Sequence, residues 1–156
     1  MEDSTLWPVL LASALAVVLS VILHAAVVVK LKMWGDDTSW SPVAILSTTV
    51  LVLITAHLFQ IGVFTSCHYL AEFVGRDRIG ELAGDTNGSM FDRYYFSAVV
   101  FSTLGFGDIR PLGPLRILYA VQALCGLVLI AWSASLTYHQ LQEHFKSVLG
   151  PTESKK

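Results

Sequence analysis

Residues 102–108 read Ser102, Thr103, Leu104, Gly105, Phe106, Gly107, Asp108, so that two glycines stand at i and i+2 just behind a threonine. If the backbone runs extended here, carbonyls that all face one way need unusual φ and ψ at alternate positions, which glycine adopts without a steric penalty. Several chains meeting on one axis would present rings of carbonyl oxygens, with the Thr103 hydroxyl below them, that can replace the water around a dehydrated cation. The preceding segment, Phe91 to Phe101, is apolar and aromatic, with Asp92 placed to cap its start. A helix of about 11 residues reaches only roughly 16 Å, enough to enter a membrane but not to cross it. Its C-terminal end carries partial negative charge, which favours a K⁺-like cation over an anion.

The elements that must position this segment are apolar on a scale from which a soluble globular protein is hard to build: 54% of residues are hydrophobic and 14% charged. Three stretches, Leu6 to Val29, Val43 to Phe64 and Ile117 to Leu136, contain no Asp, Glu, Lys or Arg. Each attains the roughly 20 residues needed to cross a hydrocarbon core about 30 Å thick, and three membrane spans are expected. No basic residue precedes the first stretch, which is longer than the apolar core of a cleaved leader, so it too is read as a span. Irregular backbone between such spans is tolerated only where protein buries it or where it lines a water-filled path.

Other classes are excluded by what the chain lacks. A net charge of −2 without a basic run offers nothing to nucleic acid, and there is no phosphate loop, dinucleotide fingerprint or zinc motif. No enzymatic activity, resident cofactor or small-molecule ligand is expected. Cys67 and Cys125, at the end of one span and inside another, suggest no disulfide framework. Lysines at 30, 32, 146, 155 and 156 balance arginines at 76, 78, 93, 110 and 116 on the opposite side of the spans, so positive-inside counting ties.

Thr103, Leu104, Gly105, Phe106, Gly107 and Asp108 resemble the Thr-Val-Gly-Tyr-Gly-Asp selectivity filter of pore-loop potassium channels. The similarity runs from Phe91 to about Leu136, with the second span in the place of the outer helix. It implies an all-α membrane protein with three transmembrane helices, a re-entrant pore helix and a filter loop. The expected organisation is an extra N-terminal span and connection over 1–42, a pore domain over 43–138 and a cytoplasmic tail over 139–156. Within the pore domain the outer helix is expected at 43–66, the pore helix at 91–102, the filter at 103–108 and the inner helix at 114–138. By resemblance, Thr103 to Gly107 bind the permeant K⁺, which Thr103, Leu104, Gly105 and Phe106 coordinate. Four copies close the ring as a homotetramer in the cell membrane, and the filter faces outward. That places 67–90 outside as a glycine-rich loop, and the 30–42 connection and the tail inside.

Some positions depart from the family pattern. Phe106 stands for the usual Tyr and removes a hydroxyl that braces the filter; Val100 and Ser102 stand where Thr is frequent, and Val99 where some members carry an acid. Tyr95 is the candidate hydrogen-bond partner of Asp108 in place of Trp. Gly126, 19 residues after Gly107, is either a hinge of the inner helix or a small residue for close packing. His57 and Gln60, three apart in the second span, are expected to bond between helices rather than to sense protons, and His24 to be a satisfied packing residue. Asn87-Gly88-Ser89 matches a glycosylation acceptor but is discounted, and Gly150-Pro151 is expected to end any helix leaving the third span. No span carries Lys or Arg, so voltage sensing is not expected. Two alternatives remain beside a K⁺ channel: a non-conducting accessory subunit with a pore-loop fold, and a less selective cation channel.

Overall fold

The computed structural model describes residues 3–75 and 79–149. In chain order the elements are α1 (Asp3–Asp37), α2 (Pro42–Gly75), β1 (Leu82–Gly84), α3 (Met90–Phe101), β2 (Ile109–Pro111) and α4 (Leu115–Leu149). Helices α1, α2 and α4 are long and apolar enough to cross a membrane, over Leu6–Asp37, Pro42–Gly75 and Leu115–His144.

α1 and α2 form an antiparallel hairpin. Ser41 caps α2 by accepting from the Ala44 amide at 3.4 Å, and Pro42 occupies the first helical position, where its missing N–H costs nothing. Trp34 and Trp40 meet edge to face across the turn at 5.3 Å. α1 packs on both α2 and α4, and α3 sits between α2 and α4. The core around α3 joins Phe64, Phe96, Phe101, Leu115, Leu118 and Tyr119, while large apolar side chains such as Leu11, Ile22, Leu51, Phe59 and Val128 point outward.

The long helices overrun the apolar stretches that announce them. α2 passes the expected end at 66 because Cys67, His68 and Ala71 are buried against the protein and Glu72 pairs with Arg93 on α3. Along these last turns Cys67, His68 and Ala71 face the protein while Tyr69, Leu70, Phe73 and Val74 are exposed, and the helix runs on to Gly75. α4 likewise continues past 138 to Leu149, with His139 and Glu143 paired one turn apart at 3.5 Å. The helix stop expected at Gly150-Pro151 lies outside the described residues.

The strands β1 and β2 were not legible as such. They pair antiparallel in the register Leu82 to Pro111, Ala83 to Arg110 and Gly84 to Ile109. Three residues apiece are too few for an alternating pattern to show. Cys67 and Cys125 are free and buried.

Candidate functional site

α3 is the short helix that reaches into the fold. Ser89, with φ −65° and ψ 159°, is its N-cap and accepts from the Asp92 amide at 3.1 Å. Asp92, expected to be the cap, stands in the first turn, and its Oδ2 instead accepts from the Asn87 amide and the Thr86 hydroxyl, both at 3.0 Å. The Asn87 amide bond, with help from the Thr86 and Ser89 hydroxyls, holds the Asp92 carboxyl below the ordinary carboxylate range. The Asn87 side chain is occupied too, its Oδ1 accepting from the Ser89 amide at 3.0 Å.

The body of α3 is fastened by polar groups that sequence reading did not single out. Tyr94 Oη donates to the Leu58 carbonyl at 3.0 Å, and Gln122 Nε2 on α4 donates to the Ser97 carbonyl at 3.0 Å. Ser97 Oγ reaches the Ile61 carbonyl at 3.4 Å. A lone glutamine inside a charge-free span and a serine inside an aromatic helix are the signals that could have marked them. Gly126 lies about a third of the way along an unbroken α4, where a Cβ would overlap the carbonyl of Phe101. The inner helix therefore backs directly onto the C-terminal end of α3.

α3 ends at Phe101, with Ser102 as C-cap, and the next two amides fold back onto it: Thr103 N–H to the Val100 carbonyl and Leu104 N–H to that of Val99, each at 3.0 Å. The chain then changes character. Thr103, Gly105 and Gly107 have φ of 60°, 62° and 84°, while Leu104 and Phe106 between them do not take positive φ. Alternating left- and right-handed residues turn successive peptide planes so that their carbonyls face one side. A β-branched residue at positive φ is strained by about 1–3 kcal/mol, so Thr103 holds a conformation that its local sequence opposes. The carbonyls of 103–107 accept no hydrogen bond among the described residues. Leu104 and Phe106 are 62% and 64% exposed, and a Cβ on Gly105 or Gly107 would meet nothing within 4 Å.

Asp108 closes the segment. Tyr95 Oη donates to its Oδ2 at 2.8 Å, and the Ile109 amide donates to its Oδ1 at 3.0 Å. The tyrosine bond holds the Asp108 carboxyl below the ordinary carboxylate range and, reciprocally, raises the Tyr95 phenol.

A second polar cluster lies beneath α3. His57 Nδ1 meets Gln60 Oε1 at 2.8 Å, and its Nε2 meets Ser133 Oγ at 3.0 Å. Gln60 Nε2 donates to the Ser20 carbonyl at 3.3 Å and to His24 Nδ1 at 3.2 Å. With Gln60 Oε1 an acceptor, His57 carries its proton on Nδ1; with Gln60 Nε2 a donor, His24 carries its proton on Nε2. The two imidazoles stack at 5.4 Å, and His57 lies 5.6 Å from Phe101. The expected interhelical bonding thus ties α1, α2 and α4 together. His24 is only half satisfied, since its buried Nε2 has no partner among the described residues.

The sequence profile of a family described as "Ion channel" matches residues 48–143, which takes in α3, the irregular segment and most of the two flanking helices. The inward rectifier potassium channel Kirbac3.1 of Paramagnetospirillum magnetotacticum is 34% identical over 125 residues, covering 74% of this chain and 38% of that protein. The chain thus spans well under half the length of this curated relative. No solved structure shows significant similarity. Three helices able to span a membrane, a re-entrant helix between the last two and the extended segment behind it agree with the profile, and the chain belongs to the pore-loop potassium channel family as a multi-pass membrane protein.

Proposed function

We propose that four copies of this chain form a potassium-selective channel that conducts K⁺ passively through a pore on their common axis. The alternation of positive φ at Thr103, Gly105 and Gly107, over five carbonyls with no hydrogen-bond donor among the described residues, is the observation that carries this reading. Unpaired carbonyls facing one way are the ligands that a dehydrated cation needs. One such strand per chain makes a closed ring only around a symmetry axis, and the resemblance to the family sets the number at four. Thr103, Leu104, Gly105, Phe106 and Gly107 line the ion sites, and Tyr95 and Asp108 support them. The exposure of Leu104 and Phe106 on a single protomer supports assembly, since neighbours would cover them.

The relative's printed name makes it a potassium channel, which favours K⁺ here. Tyr95 supplies the bond to Asp108 that stiffens the outer end of the filter while Phe106 has no hydroxyl to add. Gly126 serves close packing of the inner helix on α3, and any bending there acts on that contact. The pore lies in the cell membrane with residues 79–88 outside and the α1–α2 turn inside. Its opening depends weakly on voltage, because no charged side chain lies within the apolar stretches of the spans.

Purified protein in liposomes tests this reading against a non-conducting subunit. K⁺ flux from a species that cross-links as a tetramer is the expected result. A conducting monomer or dimer, or intact tetramers that pass no ion in any salt, would contradict it.

A further inference from the structure

The segment joining the filter to α4 is zipped along its length to residues 79–85. The Asp85 amide donates to the Asp108 carbonyl at 2.9 Å, Gly84 pairs with Ile109 in the sheet, the Leu112 amide donates to the Glu81 carbonyl at 2.8 Å, and the Leu115 amide donates to the Ile79 carbonyl at 3.0 Å. Glycine stands at both ends of this zip because nothing larger fits. Gly84 has φ 116° and a Cβ there would overlap the Asp108 carbonyl oxygen; Gly80 has φ 98° and a Cβ there would overlap that of Leu112. Ile79, Ile109 and Leu115 are buried beneath it at 0%, 4% and 0% exposure.

The same loop is anchored at its other end. Asp92, in the first turn of α3, accepts from Asn87 and Thr86, and Arg93 Nε donates to the Gly88 carbonyl at 3.3 Å. Residues 79–89 therefore bridge the start of α3 and the exit of the filter within one chain. Asp108 is gripped from both sides: its carboxylate by Tyr95 on α3, its carbonyl by the amide of Asp85.

We propose that Gly84 and the Asp85 amide are positioning elements for ion selectivity. They hold the Asp108 carbonyl, and with it the outer end of the 103–107 strand, at the spacing that distinguishes K⁺ from Na⁺. This rests on the potassium-selective reading given above. A filter whose carbonyls meet nothing in their own chain takes its geometry from its ends, and the outer end is set by this strand rather than by a hydroxyl at 106. The loop acts through Asp108 and touches no ion itself.

Gly88 provides an internal comparison, because it lies in the same loop with φ 76° but a Cβ there would meet nothing within 4 Å. Gly84→Ala and Gly88→Ala both strain a left-handed glycine; only the first presses on Asp108. Asp85→Pro removes the amide donor without adding an atom at 84. Each variant is reconstituted as full-length tetramer in a planar bilayer, and the reversal potential is read with K⁺ on one side and Na⁺ on the other. That potential does not depend on how many channels are present, so poor folding alone does not move it. Gly84→Ala and Asp85→Pro should each lower the K⁺/Na⁺ permeability ratio by on the order of tenfold, and Gly88→Ala should stay within about twofold of wild type. Wild-type ratios in both Gly84→Ala and Asp85→Pro would overturn the proposal. So would loss of tetramers in both with an unshifted potential in the residual current, since the strand would then serve folding and not position. A wild-type potential at equal permeability is read first and refutes the selectivity reading itself, and this proposal with it.

Discussion

Across Thr103–Gly107 the backbone takes positive φ at every second residue and its carbonyls accept no hydrogen bond among the described residues, whereas the next residues, 108–112, are bonded to α3 on one side and to the 79–85 strand on the other. One stretch is strained and open; its neighbour is relaxed and paired. The difference separates what one chain settles alone from what it leaves to assembly. Both ends of the pore loop are set by contacts inside the protomer: the inner end by α3 and the Gly126 contact, the outer end by Asp108. Under the proposed assembly, the middle depends on ions and on neighbouring copies. Substitutions in the middle should therefore strike conduction and spare assembly, and those at the ends should reach stability or selectivity through named contacts.

The largest effect is expected at Gly105, where φ is 62° and there is open space around the absent Cβ. Gly105→Ala meets no clash, only backbone strain of more than about 1 kcal/mol in every subunit. Conductance should fall by at least about a hundredfold in a bilayer while the cross-linked tetramer persists; near-normal currents would break the contrast between middle and ends.

Gly126→Ala comes next. The added methyl would overlap the Phe101 carbonyl, and overpacking of this kind costs about 1–3 kcal/mol. Thermal denaturation in detergent should show the loss. An unchanged melting temperature with altered opening would assign the glycine to bending instead of packing.

Tyr95→Phe removes one of the two grips on Asp108, and its effect should depend on pH. The Tyr95 bond lowers the folded-state value of the Asp108 carboxyl below that of the unfolded chain. A lowered carboxylate contributes support that is present above its unfolded value and is lost as pH falls through the folded one. Wild-type K⁺/Na⁺ selectivity should therefore hold from neutral pH down past the ordinary carboxylate range. In Tyr95→Phe the acid limit should move up toward that range, with a modest loss of selectivity at neutral pH. Identical acid profiles, read as reversal potential against external pH, would show that Tyr95 does not support the filter.

Phe106→Tyr should do least. The ring is 64% exposed on the protomer, so a hydroxyl adds no clash within the chain. K⁺ preference should be retained, with the filter at most steadier. A loss of conduction would mean that neighbouring copies pack tightly on the 106 ring.

Much of this architecture is legible in the amino-acid sequence, for reasons of scale. Three charge-free stretches of span length mark the long helices because lipid-facing surface must be apolar along its whole extent. The glycines at 105 and 107 announce unusual backbone because only glycine takes left-handed φ at no steric cost, but nothing in the sequence foretells that Thr103 takes it as well. The ends of the long helices were misplaced where polar side chains turn inward. His68 and Glu72 look like loop residues by composition, yet they face Tyr119 and Arg93. Partners far apart in sequence were equally hidden: Ser97 and Gln122 are 25 residues apart, and Ser133 is 76 from His57. Periodicity along one helix carries no information about which residue of another helix will answer it. The β1–β2 pair escaped notice because its two strands are three residues each and its evidence lies in register, not in composition.

Selection of K⁺ by the strained, unpaired carbonyls of 103–107 is read from the reversal potential of the wild-type tetramer with K⁺ on one side of a bilayer and Na⁺ on the other. A potential close to the K⁺ equilibrium value is the predicted result. A potential near zero, with Na⁺ and K⁺ carrying current equally, would contradict it and leave a cation pore without selectivity.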